Sequence, residues 1–145
     1  DDNEIIRKKS KTVTEFNQKL WDLLDDMAQT MYAADGVGLA AVQVGILKRA
    51  VVINTGDQLY ELINPMLIHS EGVQNGSEGC LSSPDEYGMV ARPMKVTVTA
   101  KDRYGKSYEL TGEELLARAL CHEIDHLEGI LFKDLATEML DIERP

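Results

Sequence analysis

The chain has 145 residues, 43% hydrophobic and 28% charged, which is the length and apolar content of one domain, residues 1–145, with one sizeable core. Twenty-five acidic against fifteen basic residues give a net charge of −10, which argues against nucleic acid as the main ligand. No apolar run approaches the length of a membrane-spanning helix and no charged-then-apolar leader is present, so neither a membrane partner nor a secretory route is expected.

Residues 1–11 are polar, carry the short basic run Arg7 to Lys11, and are expected to be extended or irregular. Because the first residue is Asp1 rather than methionine, an upstream piece is expected to be missing or removed. Thr12 with Glu15 three residues on has the form of a capping box. Phe16, Leu20, Leu23, Leu24, Met27 and Met31 then repeat at intervals of three and four, which predicts an amphipathic helix to about Ala34, with both methionines as core fillers. Asp35-Gly36-Val37-Gly38 ends it. The two glycines follow a helix and have no third partner, so they do not read as a nucleotide loop. They do permit close backbone approach, and an extended peptide could lie along this segment as an added strand.

Residues 49–54 are β-branched and predict a strand, followed by a turn at Thr55–Gln58. Leu59–His69 predicts a second strand, bent at Asn64-Pro65, in which His69 is a surface residue. Gln74–Ser77 and Ser83–Gly88 read as loops. Lys95–Ala100 alternates with period two and predicts a strand, joined through Asp102–Gly105 to Ser107–Leu110 as a hairpin. Thr111 with Glu114 predicts the start of a second helix, and Gly129 is placed to end it. An N-terminal helix, antiparallel strands and a late buried helix together suggest an α+β fold.

The late helix carries Cys121-His122-Glu123-Ile124-Asp125-His126. At this spacing His122 and His126 share one helical face and can grip one metal ion, with Glu123 near enough to take a proton from a water on that ion. A hydrolytic site needs a third ligand and an open position. The remaining histidine is His69, and the cysteines are Cys80 and Cys121. Cys121 precedes His122 and so points roughly 100° from the ligand face. Cys80 follows a glycine in Glu78-Gly79-Cys80-Leu81-Ser82, where a backbone can approach a helix closely. A thiolate ligand also argues for a reducing, cytoplasmic compartment rather than a disulfide.

Three separated blocks, Gly36-Val37-Gly38-Leu39-Ala40-Ala41-Val42-Gln43, Glu78-Gly79-Cys80-Leu81-Ser82 and His122-Glu123-Ile124-Asp125-His126, resemble the signature motifs of the peptide deformylases in content, order and separation. The resemblance runs from about Ile5 to about Phe132. It implies an α+β fold with antiparallel sheets packed around the C-terminal helix that carries the metal motif. It implies Cys80, His122 and His126 as metal ligands and Glu123 as general base and acid. Gln43 and the Leu81 amide would polarise the formyl oxygen. Substrate would lie against Val37, Gly38 and Gly79, with its methionine side chain in an apolar pocket to which Ala119 contributes. The reaction implied is hydrolysis of N-formyl-methionyl nascent peptides, transiently at the ribosome, to formate and a free amino terminus. Ligand type alone would point to zinc; the resemblance implies Fe2+, with Zn2+, Ni2+ or Co2+ able to substitute.

Two positions depart from the family pattern. Val42 stands where proline or threonine is frequent, and Cys121 stands where glutamine is usual, adding an oxidisable thiol beside the metal. A zinc metallopeptidase shares the helix motif, but its further histidine or glutamate ligand does not follow His126, and Glu78-Gly79-Cys80 has no role in it. A non-catalytic metal- or peptide-binding module of the same fold would need neither Glu123 nor Gln43.

Overall fold

Ala50-Val51-Val52-Ile53 is buried on both faces, as a strand in the middle of a layered structure must be. The structure is a computed structural model that describes residues 4–80 and 83–140. It contains strands β1 (Gly38–Ala40), β2 (Ala50–Ile53), β3 (Tyr60–Glu71), β4 (Gln74–Cys80), β5 (Ser83–Arg92), β6 (Lys95–Lys101), β7 (Ser107–Glu113) and β8 (Glu138–Leu140). The helices are α1 (Gln18–Ala33), α2 (Leu115–Leu127) and the short α3 (Phe132–Leu135). All named pairings are antiparallel: one sheet runs β1-β2-β3-β6-β7, and a smaller one runs β4-β5-β8. The fold is α+β, as expected.

Strand alternation sorts the core into two clusters. Val51 and Ile53 join Val96, Val98 and Ala100 against Ala117, Leu120 and Leu127 of α2. Ala50 and Val52 turn the other way, onto Leu20, Leu24, Met27 and Met31 of α1. The five-stranded sheet is therefore held between the two long helices, and both methionines are fully buried filler.

Both helices start later than their capping patterns predict. Helix α1 is capped by Asn17, whose side chain accepts from Leu20 N at 3.3 Å. The Thr12–Phe16 segment stays outside any helix. The Asn64 side-chain amide holds it there, with Oδ1 accepting from Val13 N at 2.8 Å and Nδ2 donating to Val13 O at 3.0 Å. Thr111 lies in β7 opposite Thr97, the two hydroxyls 2.9 Å apart, and α2 begins only after Glu114. The two expected loops at 74–77 and 83–88 are strands instead, because β4 and β5 pair with each other along most of their length. Within residues 1–11, Glu4–Arg7 forms a 3₁₀ turn that buries Ile6.

Other expectations hold. Asn64 at φ 53 sits where the β3–β6 ladder is irregular, before Pro65. His69 is exposed, and its ring lies 3.4 Å from Glu71. Gly129 at φ 77 follows the last turn of α2 and gives its N–H to His126 O. This is a left-handed helix end that glycine adopts without steric cost. Among the described residues, no helix is long and apolar enough to cross a membrane.

Candidate metal centre and active site

Every fourth residue of α2 from Arg118 onward faces the small sheet, and the stripe reads Arg118, His122, His126. Strand β4 approaches that stripe and ends at Cys80. The Cys80 sulfur and one nitrogen from each of His122 and His126 lie within 4.8 Å of one another. Cys80 Sγ is 3.1 Å from His126 Nε2, and the two imidazole rings are 5.0 Å apart edge to face. Both histidines are buried. Among the described residues this is the one such cluster, and neither Cys121 nor His69 belongs to it. Cys121 is buried in the core beneath α2, where burial pushes its thiol up to about 11 and keeps it protonated.

The donor set fits a metal ion on its own chemistry. His122 Nδ1 faces Glu78 Oε1 at 2.9 Å, which leaves Nε2 for the shared point. Burial pulls the His122 pKa down, but the Cys80 sulfur and the Glu78 carboxylate more than reverse it, to about 10. A ligand ring must be neutral, so a divalent cation bound here would displace that proton. His126 is pushed down to about 3 by burial and then by the His122 and Arg92 charges, so its ring is neutral, as a ligand must be. Two imidazoles and a thiolate leave a fourth position for reaction.

Glu123 lies beside this point, 5% exposed. Among the described residues its Oε1 has no hydrogen-bond partner, and a Cβ at Gly38 would stand 2.7 Å from its Oε2. Glycine at 38 is thus what allows the carboxylate into its place. Burial raises the Glu123 pKa to about 7, against the lowering effect of His122. Gln43 sits in a 3₁₀ turn, Ala41–Val44, directly after β1. Its Oε1 accepts from Ala40 N at 2.9 Å, which turns Nε2 toward Cys80 Sγ at 3.3 Å. The Leu81 amide lies outside the described residues. A cleft of about 760 Å³ opens on the centre, walled by Val37 and Gly38, by Gly79 and Cys80, and by Ala119, His122 and Glu123. Tyr87 covers Gly79, with a ring carbon 2.6 Å from where a Cβ would be.

Several functional side chains escaped the sequence reading. Glu78 is buried and bonded to three partners. Arg92 grips it bidentately at 2.8 and 2.9 Å, while Arg118 and His122 complete the set. Arg92 also reaches Asp125 at 2.7 Å. The available signal was spacing, since Arg118 and Asp125 share the histidine side of α2. Burial pushes the Glu78 carboxyl up, but Arg92 and His122 outweigh it and hold it at about 2. A carboxyl lowered from 4.5 to about 2 on folding adds stability above pH 4.5, and the addition vanishes as pH falls toward 2. The interval corresponds to about 3 kcal/mol. Urea midpoints taken between pH 5 and pH 2 are expected to fall accordingly, with a shallower slope in Glu78→Gln.

Comparison with known proteins gives the same reading. The polypeptide deformylase family model matches residues 1–140. The chain belongs to the peptide deformylase family. A peptide deformylase of Thermoanaerobacter pseudethanolicus is 59% identical over 141 residues, covering 97% of this chain and 89% of that protein. The crystal structure of a peptide deformylase from Legionella pneumophila superposes with a TM-score of 0.90 at 46% identity, over 94% of this chain and 82% of that one. The peptide deformylase of Synechococcus elongatus, solved in complex with actinonin, gives a TM-score of 0.92 at 40% identity, over 94% and 76% of the two chains. Deformylases are metal-dependent hydrolases that remove the formyl group from N-formyl-methionyl peptides, and this chain is an enzyme of that kind.

Proposed function

We propose that Cys80, His122 and His126 hold the metal of this deformylase and that Glu123, Gln43 and the Leu81 amide carry out its reaction. The observation that supports this best is the convergence of one sulfur and two imidazoles beside a buried carboxylate. When bound, a divalent ion there supplies Lewis acidity and brings water ionisation toward neutral pH. Fe2+ is our proposed occupant, with Zn2+, Ni2+ and Co2+ as substitutes.

The residues divide the work. Glu123 Oε1 accepts a proton from the attacking water, whose oxygen bonds to the formyl carbon. Gln43 Nε2 and the Leu81 N–H donate to the formyl oxygen as it gains negative charge. Glu123 then returns the proton to the amine nitrogen as the C–N bond breaks, so formate and a free amino terminus leave. Substrate runs along Val37 and Gly38 on one side and Gly79 on the other. Its methionine side chain occupies the cleft beside Ala119. Substrates are nascent formyl-methionyl chains, met transiently at the ribosome in the cytoplasm. We read residues 1–145 as a single catalytic domain, because both core clusters share one sheet.

The test is Cys80→Ala together with a paired substrate assay. The variant is expected to lose bound metal and, with it, formate release. The wild type is expected to release formate from a formyl-Met peptide and to leave internal peptide bonds intact. Metal retained at full stoichiometry in Cys80→Ala, or backbone scission by the wild type, would refute the reading.

A further inference from the structure

Arg118 is a charged residue only 8% exposed, one turn before His122 on the stripe that faces the cleft. Neutralising Glu78 does not explain it, because Arg92 already grips that carboxylate with two hydrogen bonds. The remaining contacts of the guanidinium run to backbone. Nη1 donates to Val90 O at 3.1 Å and lies 3.5 Å from Gly76 O, and Nη2 lies 3.5 Å from Gln74 O. One side chain of α2 thus reaches both strands of the β4–β5 hairpin, and β4 is the strand that delivers Cys80.

Gly76 supplies an independent observation. Its backbone is not in the left-handed region, so its conformation does not call for glycine. A Cβ at this position would lie 3.0 Å from Arg118 Nη2 and 3.2 Å from its Cζ. The missing side chain is space for the guanidinium.

We propose that Arg118, seated over Gly76, is a positioning residue that fixes the strand carrying the Cys80 sulfur against the helix carrying His122 and His126. The proposal rests on the reading of those three residues as metal ligands. It also requires positions 76 and 118 to act as one unit, in which a side chain at 76 is harmful only while the guanidinium is present.

The experiment titrates Co2+ into wild type, Arg118→Met, Gly76→Ala and the double variant, following thiolate-to-cobalt absorption and the dissociation constant. Circular dichroism checks the fold, and Arg118→Lys is a second variant that keeps a cation near Glu78 without the reach to both strands. Wild type is expected to show the thiolate band. Arg118→Met and Arg118→Lys are expected to weaken Co2+ binding roughly 10- to 100-fold, as loss of groups that orient ligands does. Gly76→Ala should weaken binding in the Arg118 background and change it less than about two-fold in the Arg118→Met background. A normal thiolate band with undiminished affinity in both Arg118 variants overturns the proposal alone. So do penalties at 76 and 118 that simply multiply. A wild type that binds Co2+ without a thiolate band overturns the ligand assignment and the proposal with it.

Discussion

Glu123→Gln is expected to bind metal at the wild-type stoichiometry and to release formate roughly 100- to 10,000-fold more slowly. The substitution preserves shape and removes only the ability to accept a proton. The shape matters because Glu123 Oε2 fits against Gly38 with no room for even a Cβ. The proton affinity matters because burial has raised this carboxyl to about 7, near the pH at which a base both stays ionised and takes a proton readily. Metal analysis beside a formate assay checks both halves. Turnover within a few fold of wild type would remove Glu123 from the chemistry, and loss of metal would recast it as a ligand.

Glu78→Ala should produce the largest loss of stability, about 3–5 kcal/mol, the range found when one partner of a buried ion pair is removed. It strips two buried guanidiniums and the His122 Nδ1–H of a common acceptor. Metal affinity is expected to drop as well, roughly 10- to 100-fold, because His122 loses the bond that sets its ring orientation. Urea denaturation of the metal-free protein isolates the first effect, and Co2+ titration reads the second. A stability loss below about 1 kcal/mol, a size typical of exposed pairs, would show that Arg92 and Arg118 find other partners.

The site was more legible than the elements that carry it. His122, Glu123 and His126 declare themselves because helical spacing converts directly into one face. Cys80 could be named only as a candidate from its own residues, since a distance between strand and helix is not encoded in spacing. The stripe from Leu20 to Met31 was readable for the same periodic reason. Helix starts were not. Thr12 with Glu15 and Thr111 with Glu114 both match a capping box, yet Asn64 holds the first segment and Thr97 pairs with the second. Strand β4, Gln-Asn-Gly-Ser-Glu-Gly-Cys, has almost no intrinsic strand preference and exists because β5 supplies its hydrogen bonds. Glu78, Arg92, Arg118 and Asp125 were hidden because charged residues are ordinarily solvated, and only packing shows that these bury one another.

The Cys80 sulfur belongs to the small sheet, whereas the His122 and His126 imidazoles ride on a helix packed against the large one. An ion held there as proposed would act as a rivet joining two bodies across 46 residues of chain. Without it, the ties described between the hairpin and α2 are the Glu78 charges, the Arg92–Asp125 pair and the Arg118 contacts to backbone. The five-stranded body keeps its own core, so the hairpin is the part that loosens first. On the proposed ligand set, scarcity of metal would register as easier proteolytic cutting at that hairpin, and the lifetime of the polypeptide would follow its supply of metal.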